Sequence, residues 1–149
     1  VNPENDSLYQ NIYTPVWRWR RAMFNDFKCR MDWCVTPYAE ANHNPEISIK
    51  GDSSEKIHFI NANAGDEVLI DASESSDPDG DYLNFNWFIY NEAGSYPKGI
   101  QLEIGNSPSP NFRVPSDASG STIHIILEVK DDNPIARLSD YRRILIDVK

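Results

Sequence analysis

DASESSDPDGDYLNFNWFIY, residues 71–90, sets a crowded acidic turn directly ahead of a strictly alternating run. Leu83, Phe85, Trp87 and Ile89 fall on one side, and Asn84, Asn86, Phe88 and Tyr90 on the other. A period of two, filled with branched and aromatic residues, predicts a half-buried β-strand with Trp87 as its core anchor. Pro78-Asp79-Gly80 supplies the turn before it, because Pro fixes φ and Gly admits positive φ.

Beyond Pro45 this pattern repeats to the last residues. Ile47-Ser48-Ile49, Ile57–Ile60, Val68 with Ile70, Ile100-Leu102-Ile104, Phe112 with Val114, Ile123-Ile125-Leu127-Val129 and Ile144-Ile146-Val148 are short β-type runs. Gly51-Asp52, Gly65-Asp66, 91–95, 107–110, 116–121 and Asp131-Asp132-Asn133-Pro134 break them. Seven or eight short strands with turn signals between most of them predict an antiparallel two-sheet sandwich, immunoglobulin-like in general architecture.

Before Pro45 the character differs. Residues 1–12 are polar and turn-like, and are expected to be frayed. Thr14-Pro15 is a helix start, with Thr at the N-cap and Pro at N1. Trp17, Arg20, Phe24, Phe27 and Met31 recur every three or four residues, with Trp19 and Met23 widening the stripe. An amphipathic helix ending near Trp33 follows, its aromatic stripe expected against the sandwich or another part of the parent protein. A basic aromatic helix also suits a membrane surface or a calmodulin-type target, a reading disfavoured by the width of the stripe. The polar stretch 40–45 marks a boundary, giving a helical segment at 1–44 and a sandwich at 45–149.

The 149 residues carry a net charge of −9 with 40% hydrophobic and 11% aromatic residues. That composition supports a packed core and disfavours phosphate-backbone binding and attraction to anionic lipid. No apolar run reaches membrane-spanning length. With neither an initiator Met nor a signal peptide, the sequence reads as a piece of a longer precursor. Cys29 and Cys34, five apart, cannot bridge on one continuous helix; a disulfide would require the helix to end near Asp32, and free or buried thiols are the expectation.

Residues 65–87, GDEVLIDASESSDPDGDYLNFNW, resemble the signature of polycystic-kidney-disease-type and cadherin-like domains. A second resemblance spans nearly all 149 residues. It rests on Trp17-Arg18-Trp19-Arg20, Asn25-Asp26-Phe27, the run from Met31 to Tyr38 (MDWCVTPY), Ala41-Asn42-His43 and the terminal Tyr141-Arg142-Arg143-Ile144. These are similar to a bacterial family formerly of unknown function, whose members join a nucleoside-hydrolase-like domain to a C-terminal sandwich and are described as cellulose-binding. The resemblance implies a secreted, periplasmic or cell-surface protein of a polysaccharide-degrading bacterium, with a hydrolase-like domain upstream. It carries no residue-level site.

Asp77, Asp79 and Asp81 are candidate calcium ligands, since Ca²⁺ takes six to eight hard oxygens. Their spacing fails as an EF-hand, and the competing role is a turn whose carboxylates cap its own amides. The lone residues His43, His58 and His124 form no metal pattern, and no nucleophile elbow or phosphate loop occurs, so no enzyme is expected. Sugar binding needs flat aromatics beside polar groups. Asn84, Asn86, Phe88 and Tyr90 on one strand face, with Tyr96 in the following loop, have that mix. The same face competes for cover by the helix. The expectation is therefore a non-catalytic accessory sandwich binding cellulose or a related polysaccharide, with a structural docking module as the alternative.

Overall fold

The computed structural model describes residues 12–100, 102 and 105–149. The expected fraying of the N-terminus falls almost wholly outside them. Helix α1 spans Thr14–Asp32, followed by strands β1 (His58–Ala62), β2 (Glu67–Leu69), β3 (Asn84–Ile89), β4 (Asn111–Arg113), β5 (Thr122–Lys130) and β6 (Ser139–Val148). Four strands form one sheet in the order β1-β6-β5-β3, and β2 pairs with β4 in a second. The expected architecture, a mainly β two-sheet protein preceded by one helix, is the observed one.

Three details differ from the sequence reading. β1 runs parallel to β6 while the other named pairs are antiparallel. A parallel neighbour needs a long connection, and the whole body of the sandwich lies between these two strands. Ile47-Ser48-Ile49 is no regular strand; it joins through isolated bridges, Glu46 to Ser76 and Ile49 to Asp52. Lys50 and Gly51 close the second bridge with φ of 51° and 79°, the left-handed pair that a tight two-residue turn requires. Thr14 is already helical, with Tyr13 at the N-cap and no side-chain cap, so Pro15 falls in the first turn, where its missing N–H costs nothing. The expected run Ile100-Leu102-Ile104 lies partly outside the described residues; Ile100 and Leu102 pack against the core.

The core lies between the sheets. Ile123, Ile125, Leu127 and Val129 of β5 and Ile144, Ile146 and Val148 of β6 meet Ile70, Phe112 and Val114 from the opposite sheet and its flanks. Each such side chain withdrawn from water stabilises the fold by about 1.5–3 kcal/mol. Trp87 joins them, 6% exposed, with its Nε1–H donated to the Ser107 carbonyl at 2.8 Å. β5 is buried on both faces, since His124, Ile126 and Glu128 on its outer side are covered as well. Part of that cover is α1.

Candidate functional site: the helix–sheet cleft

α1 lies across the outer face of the four-stranded sheet. Trp19 meets Phe88 at 5.8 Å between ring centroids and Tyr141 edge-on at 5.1 Å. Arg18 pairs with Glu92 at 2.6 Å and sets its guanidinium over the Tyr90 ring. Further along, Asn25 Nδ2 donates to the Arg137 carbonyl and Lys28 Nζ to that of Ile135. Cys29 is buried with Ala136 and Leu138, with Trp33 packed against them, and burial pushes its thiol up. Cys29 and Cys34 are both free, the first buried and the second exposed just past the end of α1 at Asp32.

Of the two partners expected for the aromatic stripe, the sandwich is not the one that it meets. Trp17, Phe24, Phe27 and Met31 are 44–62% exposed, while Trp19, Cys29 and Trp33 face the sandwich. A helix turns 100° per residue, so residues 19, 22, 26, 29 and 33 share about 80° of arc on the opposite side from 17, 20, 24, 27 and 31.

Between α1 and the sheet runs a cleft of about 350 Å³. Its floor is a row across three strands: Asn86 of β3 is in register with Glu128 of β5, and Glu128 with Tyr141 of β6. Tyr141 Oη donates to Glu128 Oε1 at 2.6 Å, and Asn86 Nδ2 to Oε2 at 3.1 Å. Lys130 Nζ lies 2.9 Å from the same Oε2. The Glu128 side chain is only 7% exposed, a deeply placed carboxylate paired with the Lys130 ammonium and held by two neutral donors. Burial, and the hydrogen bond to Glu128, push the Tyr141 hydroxyl well above its ordinary range. Trp19 and Phe88 wall the cleft with aromatic surface. Apolar plates around a few oriented polar groups are what a sugar ring needs, its C–H faces stacking while its hydroxyls find donors and acceptors.

Of the five predicted carbohydrate residues, Asn86 and Phe88 line this cleft. Asn84 is exposed on the same strand and accepts from Asn106 Nδ2 at 3.3 Å. Tyr90 sits beneath Arg18. Tyr96 stands apart: its ring packs against the inner core, and its hydroxyl donates to Asp117 Oδ1 at 2.7 Å. Sequence reading missed Trp19, Glu128 and Tyr141. The outward phase of β5 places Glu128 on this face, but only the strand register sets it between Asn86 and Tyr141.

The acidic turn is engaged with its own protein. Asp77 Oδ1 accepts from the amides of Asp79 and Asp81, which is the capping role weighed against calcium. Asp79 takes the His43 amide at 2.6 Å and its ring Nδ1 at 2.8 Å. Asp81 takes Asn133 Nδ2, and the Tyr82 amide reaches Asp132. Asp71, held down to about 2 by hydrogen bonds from Ser109 and Ser73, points to the 107–109 loop. Among the described residues no group of three or more His, Cys, Asp or Glu side chains is disposed to hold a metal ion.

A helix-capped, two-sheet β module with an aromatic and polar cleft is the class defined by this geometry. Residues 67–148 match the family described as "Cellulose-binding protein Sde0182, C-terminal domain", and the chain belongs to that family. It is also similar to a solved structure from Saccharophagus degradans, a nucleoside hydrolase-related hypothetical protein associated with carbohydrate metabolism. The two are 43% identical with a TM-score of 0.85, over 90% of this chain and 33% of that one. The present chain thus spans about a third of that protein's length. No curated protein matches. Among the described residues no helix is long and apolar enough to cross a membrane.

Proposed function

We propose that this protein is a non-catalytic accessory module that binds cellulose or a related β-glucan in the cleft between α1 and the outer sheet face, as part of an exported protein. The observation that carries the reading is the Asn86–Glu128–Tyr141 row lying beneath Trp19 and Phe88. It offers a carboxylate held in place by Tyr141, Asn86 and Lys130, the remaining hydrogen-bonding capacity of the exposed Asn86 amide, and two aromatic walls. The family's cellulose-binding description supports the ligand class. A role on insoluble polysaccharide supports export.

Retention on insoluble cellulose, with titration calorimetry against soluble cello-oligosaccharides, tests it. The wild-type protein is retained, and Asn86→Ala weakens binding with little change in the thermal midpoint, since Asn86 is exposed; Glu128→Gln weakens binding too, and lowers the midpoint because it takes the charge from a buried group paired with Lys130. Losing one hydrogen bond to a charged group is worth about 1.5–3 kcal/mol, roughly ten- to hundredfold in Kd. Phe88→Ala removes a stacking wall and lowers retention further. Folded wild-type protein that stays in the supernatant and gives no heat with any glucan sinks the proposal. Hydrolysis of a glycoside or nucleoside by these 149 residues alone would overturn its non-catalytic part.

A further inference from the structure

α1 has two apolar faces and the sandwich covers one. On the other, Val16, Trp17, Met23, Phe24, Phe27 and Met31 are 44–62% exposed along the whole helix. A helix apolar on both sides is one that is covered on both sides, and monomeric proteins rarely leave a contiguous stripe of this kind in water. We propose that this outer face of α1 docks onto the part of a longer polypeptide corresponding to the two thirds of the Saccharophagus protein that the present chain does not match. α1 is then a shared wall between two bodies of one protein.

Three observations select this occupant. The first is size. A helix of 19 residues is about 28 Å long, and an apolar face about 10 Å wide then buries roughly 600 Å² over both partners. That suits an interface within one polypeptide, where tethering removes most of the association cost, and falls short of the roughly 1,200 Å² of a stable free dimer. The second is charge. Arg20 stands in the middle of this face, over Trp17 and Phe24, so two copies meeting through it would set cation against cation. The third is the state of the rings. The Arg20 guanidinium lies 5.0 Å from the Trp17 ring centroid and 5.5 Å from that of Phe24. Ring faces covered by a cation are poor platforms for a sugar, whereas a protein surface with a carboxylate rim accepts the rings and the guanidinium together.

Hydroxyl-radical footprinting of the 149-residue protein and of the full-length polypeptide tests this. Trp17, Met23, Phe24, Phe27 and Met31 label readily in the former and lose labelling in the latter. The double variant Phe24→Glu with Phe27→Glu restores labelling of Trp17 and Met31 in the full-length protein. The same variant leaves the melting midpoint of the 149-residue protein unchanged, as exposed positions should. Equal labelling of the two proteins overturns the proposal, as does a coding sequence with no such additional part. Protection that appears in the 149-residue protein as its concentration rises would assign the stripe to a second copy instead. Protection gained only on insoluble cellulose would assign it to the polysaccharide. Both results overturn the docking proposal, and neither bears on Glu128 and Asn86, whose variants test the cleft separately.

Discussion

Trp87 has two attachments that separate under mutation. Its ring fills the space between the sheets, and its Nε1–H satisfies the Ser107 carbonyl in the loop that closes that side of the core. Trp87→Ala removes both and leaves a cavity that the β5 and β6 side chains cannot fill, costing about 3–5 kcal/mol. Trp87→Phe keeps most of the ring but leaves a part-buried carbonyl without its donor, costing about 1–3 kcal/mol. Urea denaturation resolves the two, and a Phe variant as damaging as Ala would show that the hydrogen bond is secondary to ring shape. This residue was fully legible in the sequence, because the period of two fixes which side of β3 it occupies. Glu128 was not legible in the same way. Its strand and face follow from alternation, yet its role depends on lying opposite Asn86 and Tyr141, and pairing register is a property of three strands together.

At the scale of the element, α1 shows why a helix can be legible in the sequence while the face that the sandwich takes is not. Its bounds follow from Pro15 at one end and the departure at Trp33 at the other. The choice of buried side does not, because the sequence supplies aromatics at both phases: Trp17, Phe24 and Phe27 on one, Trp19 and Trp33 on the other. The wider stripe is the exposed one. The sandwich selects Trp19 because a flat ring fits between Phe88 and Tyr141, and Cys29 because a small side chain lets the helix approach Ala136 and Leu138. Truncation should therefore be asymmetric. Trp19→Ala costs about 3 kcal/mol or more and frees α1 from the sheet, whereas Phe27→Ser changes stability by no more than about 0.5 kcal/mol. Amide hydrogen exchange along α1 checks both, with protection lost in the first variant and kept in the second. Loss of protection in Phe27→Ser would place the packed face on the other side of the helix.

For the whole molecule the sharpest consequence is its response to pH. His124 is 5% exposed on the outer side of β5, and its Nδ1 accepts from Arg143 Nε at 2.8 Å. Burial first, and the Arg143 guanidinium second, hold its pKa below the ordinary imidazole value. Burial, then Lys50 and Arg142, lower that of His58. An unfolded chain takes up these protons near pH 6.5 while the folded one still resists, so stability falls as pH drops through about 6.5 toward the folded values. Each unit of depression is worth about 1.4 kcal/mol. Asp77, Asp131 and Asp140 act in the opposite sense. Burial raises all three, so the stability they lend is complete below the ordinary carboxylate range and is lost as pH rises through their folded values. A replacement at position 124 separates the two groups. His124→Asn keeps an acceptor for Arg143 and removes the titration. The variant starts less stable than wild type at about pH 7.5, and the gap in melting midpoint narrows as pH falls to about 5.5, where wild type carries the cost of holding an imidazole neutral. A gap that stays constant across that range would mean that His124 exchanges its proton freely in the fold, and the acid limb would then belong to His58.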